Sequence, residues 1–157
     1  MPRLSEQFKI VPILEPENHQ AAALTCDSIN LKNYSWCSII MTFGELTADE
    51  IITVHSGATT DADSQDVTFA YAYTGADLKT AGGDIITVTG SAATLTLAAA
   101  TFEDRMLVID IDPATLTDGY SWISVIGDGS ATELFASAVA ILTPKYASAA
   151  AHTAISV

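Results

Sequence analysis

Apolar and polar residues alternate along this chain with the period of two that marks β-strands, in short runs separated by turn signals. In Ser35 to Phe43, Cys37, Ile39, Met41 and Phe43 share one face. In Glu50 to Ser56, Ile52 and Val54 oppose Ile51, Thr53 and His55. Asp66 to Thr74 alternates most cleanly, with Val67, Phe69, Tyr71 and Tyr73 on one side and Thr68, Ala70, Ala72 and Thr74 on the other. Arg105 to Ile111 places Leu107, Ile109 and Ile111 together. Gln7 to Leu14 is extended, and Pro12 restricts it to an edge or an arm. Ser28 to Leu31 is a further short strand. Asp84 to Thr89 and Ala93 to Ala98 are expected as a hairpin around Gly90-Ser91, with Leu95 and Leu97 inward. Tyr120 to Ile126 and Glu133 to Leu142 are expected as another, joined by Gly127 to Ser130.

Helical periodicity is nearly missing. The best helical segment is the single turn Ala114 to Thr117, after Asp112-Pro113 and before Asp118-Gly119. About nine or ten short strands at intervals of roughly 8–12 residues, with no strand–helix–strand spacing, predict an all-β fold. The expected architecture is an antiparallel β-sandwich, jelly-roll-like, with an extended N-terminal arm and a C-terminal tail. Residues 1–24 read as the arm with an edge strand, 25–146 as the sandwich, and 147–157 as a flexible Ala-rich tail. Neither end has the apolar mass to fold alone, so both are expected to order on a neighbour.

Composition narrows the function. At 157 residues the chain is one domain and can bury a sizeable core without disulfides or a metal. Cys26 and Cys37 are read as free thiols. Only 16% of residues are charged, with 19 acidic against six basic, for a net charge of −13. The basic residues Arg3, Lys9, Lys32, Lys79, Arg105 and Lys145 are scattered, which argues against nucleic acid and anionic membranes as partners. No apolar stretch resembles a signal peptide or a membrane span, so synthesis in the cytosol without export by a standard route is expected. The remaining surface of Ser, Thr, Ala and Gly suits faces that lie against other protein.

The candidate chemistry is thin. Asp61, Asp63 and Asp66 form an acidic loop with oxygens that suit calcium, but it lacks the glycine and distal glutamate of an EF-hand, and a solvated loop is expected. Asp110 and Asp112 share a strand face as a glycosidase pair would, yet Asp112-Pro113 is an ordinary strand exit. His19, His55 and His152 lie far apart, without the close spacing of zinc ligands. Nucleophile-elbow and phosphate-loop motifs are missing. Trp36 and Trp122, with Tyr34, Tyr71, Tyr73 and Tyr120, are candidates for a carbohydrate platform, weighed against core or cross-strand packing. No catalytic, cofactor-binding or metal residues are assigned, and no enzyme activity is expected.

Several blocks carry a resemblance: Glu6 to Pro12, Asn30 to Thr47, Asp104 to Ile109, Leu116 to Gly119 and Ala136 to Tyr146. Together, over roughly residues 5 to 147, the chain resembles a family of small tailed-bacteriophage proteins encoded in the head-morphogenesis region. The resemblance implies a virion protein on the capsid exterior, a decoration or cement protein that bridges adjacent copies of the major capsid protein. It carries no catalytic residues. In that role the apolar run with Phe8, Ile10, Val11, Ile13 and Leu14 is the expected interface, donated to a neighbour's sheet edge. Self-association as a trimer is expected ahead of a dimer. The alternatives are a virion-borne carbohydrate-binding or host-adhesion module and another head–tail structural component.

Overall fold

The structure, a computed structural model, describes residues 3–19, 23–146 and 154–156. A single helical turn, α1 (Leu4–Gln7), leads into β1 (Lys9–Asn18). Then follow β2 (Ser28–Asn30), β3 (Tyr34–Leu46), β4 (Glu50–Gly57), β5 (Gln65–Asp66), β6 (Phe69–Thr74), β7 (Ile86–Ala92) and β8 (Thr94–Leu97). After the turn α2 (Ala99–Phe102) come β9 (Met106–Ile111), β10 (Trp122–Gly127), β11 (Leu134–Pro144) and β12 (Ile155–Ser156). The helical segment expected near 114–117 is a 3-10 turn at Pro113–Thr115, started by the Asp112 side chain, which accepts from the Ala114 N–H at 2.9 Å.

Two antiparallel sheets pack face to face. Sheet A has the order β1-β11-β3-β9-β6-β7, and sheet B has β12-β2-β10-β4-β5, with β8 also paired to β4. This is the all-β sandwich that the alternation predicts. Its connectivity is that of a jelly roll. Without the β6–β7 hairpin and the terminal β12, β5 and β8 act as two pieces of one strand along β4. The eight strands then run 1-8-3-6 in one sheet and 2-7-4-5 in the other, which is the double Greek key of that fold. The β6–β7 hairpin is an insertion that widens sheet A beyond β9.

The core is the pair of inner sheet faces. Cys37, Ile39, Met41 and Phe43 of β3, Ile52 and Val54 of β4, and Leu107, Ile109 and Ile111 of β9 are all buried, on the faces that the period of two assigns. The inner face of β11 carries Ala136, Ala138 and Ala140, which lie between larger neighbours: Ala140 between Val11 and Ile39, and Ala138 between Leu14 and Met41. Small beside large lets the layer fill without strain. Cys26 and Cys37 are both free thiols and both buried.

Two expected hairpins do not form. β7 pairs with β6 in sheet A, whereas β8 pairs with β4 in sheet B, so the chain changes sheets at Ala93. Gly90 is no turn residue; it sits inside β7 opposite Tyr71, whose ring occupies the space where a Cβ would stand, with Tyr71 Oη 2.5 Å from that position. β10 and β11 likewise belong to opposite sheets. The Gly127–Ser130 segment crosses between them and is held by Glu50, a buried carboxylate that accepts from the Gly129 N–H at 2.8 Å and the Ala131 N–H at 2.9 Å. Asp128 adds a second tie, accepting from the Ile51 N–H at 3.1 Å and the Ser130 hydroxyl at 2.7 Å. These hydrogen bonds hold its carboxyl below the ordinary range.

Strands near both ends belong to the sandwich. The segment expected as a donated arm is the edge strand of sheet A, with its ladder filled by β11 from Lys9 to Asn18. Val11, Ile13 and Leu14 are core side chains of their own chain; Phe8 is half-buried and Ile10 is exposed. They are buried because Val11 and Ile13 point inward on a strand whose partner presents only alanines beside them. At the other end, Ala154 is buried and β12 pairs with β2, so the expected flexible tail closes the edge of sheet B. The rest of that tail, residues 147–153 with His152 among them and residue 157, lies outside the described residues.

Candidate functional site

Two surfaces stand out, one on the outer face of each sheet. On sheet A the strand registers define rows that run across the sheet. One row is Pro12–Val139–Ile40–Val108–Ala72. The next, Ile10–Ile141–Ser38–Asp110–Ala70, is mixed. A solvated antiparallel face ordinarily alternates polar-out against apolar-in. Here the outward positions of the long central strands β11 and β3 are Phe135, Ser137, Val139, Ile141 and Thr143, and Trp36, Ser38, Ile40, Thr42 and Gly44.

Glu45 stands exposed at the end of β3, and elsewhere among the outward positions of β3, β6, β9 and β11 the one charged side chain is Asp110, in a protein of net charge −13. Its carboxylate is engaged inside the face, by the Ser38 hydroxyl and by Trp36 Nε1 at 3.3 Å. Trp36 and Phe135 are exposed at 41% and 43%, large enough to anchor a partner. Depletion of charge with retained aromatic and aliphatic groups is the composition of an interface core rather than of bare surface.

The edges of sheet A differ. β1 carries Pro12 and Pro16, which have no N–H to offer, flanked by Lys9, Glu15 and Glu17. It is a protected edge. β7, Ile-Thr-Val-Thr-Gly-Ser-Ala, has neither proline nor charge, and the exposed Ile85, Ile86 and Leu78 lie at or beside it. It is an unprotected edge, open to pairing with another strand.

The outer face of sheet B is polar and partly roofed. Ser124 of β10 stands beside His55 of β4, and His55 stands opposite Asp66 of β5. The segment between β4 and β5 folds back over this row. Ala62 passes so close to Gly57 that a Cβ at 57 would lie 2.2 Å from the Ala62 Cβ. Asp61, at φ 55°, exchanges hydrogen bonds with Ser28: the Ser28 hydroxyl donates to its carboxylate at 2.7 Å, and its N–H donates back at 3.0 Å. That roof buries Ser28 and Ser124.

Asp63, two residues on, reaches His55. The Nδ1 of His55 lies 2.6 Å from Asp63 Oδ1 and 3.0 Å from Asp66 Oδ1. Of the three aspartates read as an acidic loop, the fold thus gathers Asp63 and Asp66 and diverts Asp61. It supplies a nitrogen donor, His55, that sequence spacing did not link to them. The strand register was the missing signal, since His55 and Asp66 are cross-strand partners.

The other candidates separate. Asp110 is tied to Ser38 and Trp36 on sheet A, while Asp112 caps the 3-10 turn, so the pair shares no cleft. His19 contacts the Glu15 carbonyl at 3.3 Å. The tyrosines divide. Tyr71 and Tyr73 stack with ring centroids 6.4 Å apart, and Tyr73 meets Phe102 at 4.8 Å, in one aromatic cluster against the core. Among the described residues Trp36 and Trp122 have no aromatic ring partner, which weakens a stacked sugar platform. No protein-family model and no curated protein matches the chain.

Proposed function

We propose that this chain is a structural packing protein of a virus particle, a decoration or cement protein that lies on a tailed-phage capsid and bridges neighbouring copies of the major capsid protein. The observation that carries the reading is the outer face of sheet A, a broad strand surface with an aliphatic row, two exposed aromatic anchors and a central charge that is satisfied within the face. Such a face is suited to burial against protein. The function then lies in area removed from water rather than in bond chemistry. A stable contact of this kind buries on the order of 800 Å² per partner.

The proposed interface is not the one expected from the sequence. The sequence pointed to the run Phe8 to Leu14, but Val11, Ile13 and Leu14 are committed to the core. The face around Val139 and Ile40, with Ile10 at its margin, takes their place. The uncharged β7 edge suits self-association between neighbouring copies on a shell, where a trimer remains the expected arrangement. The acidic exterior fits a particle surface that must not bind nucleic acid.

The test is cosedimentation of the purified protein with undecorated capsid shells. Saturable binding that Val139→Lys abolishes supports the proposal. Binding that ignores this change, or no binding, removes sheet A from the role.

A further inference from the structure

We infer that His55, Asp63 and Asp66 form a binding site for one divalent transition-metal ion of the zinc class, on the outer face of sheet B. Three observations lead there. The donor atoms of the three side chains, one imidazole nitrogen and two carboxylate oxygens, all lie within 4.8 Å of one another. His55 Nδ1 is inaccessible to solvent and has no hydrogen-bond partner, although both carboxylates approach it. Neither approach has the direction of a hydrogen bond, so the contacts leave the nitrogen lone pair or N–H unsatisfied. Such an atom inside a fold calls for an explanation. Among the described residues no lysine or arginine pairs with either carboxylate, although Asp63 and Asp66 bring two negative charges side by side.

An ion resolves all three at once. Around a tetrahedral metal with bonds of about 2.1 Å, donors stand about 3.4 Å apart. The two nitrogen–oxygen separations, 2.6 and 3.0 Å, are somewhat shorter, and the two largely exposed carboxylates have the freedom to open around an ion. One neutral imidazole and two carboxylates balance the charge of a divalent ion. The donor set also selects the class. Calcium takes 6–8 oxygens, but Asp61 is turned away to Ser28 and a nitrogen holds its place. Imidazole with carboxylate suits zinc and its neighbours.

The position gives the ion a task. His55 is on a long central strand, Asp66 on the two-residue β5, and Asp63 on the segment that roofs sheet B. One ion would fasten that roof and the short strand to β4. It would stabilise the folded chain by an amount that grows with the logarithm of ion concentration above the dissociation constant.

The experiment uses the full chain stripped with a chelator. Zinc is titrated by calorimetry and cobalt by its visible ligand-field absorption, with melting temperature read alongside and calcium as the comparison ion. The expected result is one ion per chain, a cobalt band, and a higher melting temperature with zinc but not with calcium. His55→Gln abolishes the band. Asp63→Asn weakens binding by at least about tenfold, the lower bound seen even for loss of an outer partner. Asp63 is 63% exposed, so this variant keeps the fold and decides the matter if His55→Gln does not fold. Absence of saturable zinc or cobalt binding overturns the site. So does binding that survives both substitutions, or calcium binding as tight as zinc.

Discussion

Glu50 is the most informative residue to perturb for the fold. It is a carboxylate with 1% exposure, on the inner side of β4, and it holds the crossover from sheet B to sheet A by accepting from Gly129 and Ala131. Gly127 packs against it so closely that a Cβ there would lie 2.2 Å from Glu50 Oε1. Each hydrogen bond to a charged acceptor contributes roughly 1.5–3 kcal/mol net. Glu50→Ala removes two and leaves the Ala131 N–H without a partner in a buried setting. The Gly129 N–H is only partly buried and recovers some of its loss to water. The expected destabilisation is therefore about 3–5 kcal/mol. For a chain of this size that lowers the melting temperature by on the order of 10 °C. Glu50→Gln keeps one acceptor and turns an amide donor toward an N–H, so it loses about 2 kcal/mol or more. Urea unfolding followed by circular dichroism measures both. A loss under about 1 kcal/mol for Glu50→Ala refutes the claim that this carboxylate organises the crossover.

Other predictions follow from the same geometry. Burial, with help from Asp27 and Asp110, raises the Cys26 and Cys37 thiols to about 12, so neither reacts with a thiol reagent at pH 8 until the protein is unfolded. Because the folded thiols resist ionisation, their contribution to stability is intact below the ordinary thiol value of 9.0 and declines as pH rises from there toward about 12. The slope is at most about 1.4 kcal/mol per pH unit for each thiol, and unfolding curves at pH 8 and pH 10 compared with the double Cys→Ala variant measure it. Val139→Lys on the outer face of sheet A leaves the urea midpoint nearly unchanged, since surface substitutions stay within about 0.5 kcal/mol. Gly90→Val drives a side chain into the space of the Tyr71 ring and lowers stability by about 1–3 kcal/mol, seen as an earlier unfolding midpoint.

The strands were legible in the sequence because burial on one face leaves a period of two. Cys37 to Phe43 and Leu107 to Ile111 show it without interruption. The partners of those strands were less legible. Gly90 and Gly127 read as hairpin turns, yet one makes room for the Tyr71 ring and the other for the Glu50 carboxylate, partners on other strands that local pattern does not reveal. Pro12 and the apolar run around it read as an arm, because a protected edge strand and a donated strand have the same composition. The metal candidate was half visible. Asp63 and Asp66 lie in an obvious acidic run, but His55 joins them only through the register of β4 with β5. The outer face of sheet A was hidden for a related reason. Val139, Ile40 and Val108 are far apart in the chain and become one row only when three strands align.

The central claim is that this chain works by covering a shell, and copy number tests it most directly. Quantitative mass spectrometry of purified particles that contain the chain measures its ratio to the major capsid protein. The account predicts a fixed ratio corresponding to on the order of hundreds of copies per particle, as a lattice of bridging contacts requires. A handful of copies per particle, or none, would contradict it.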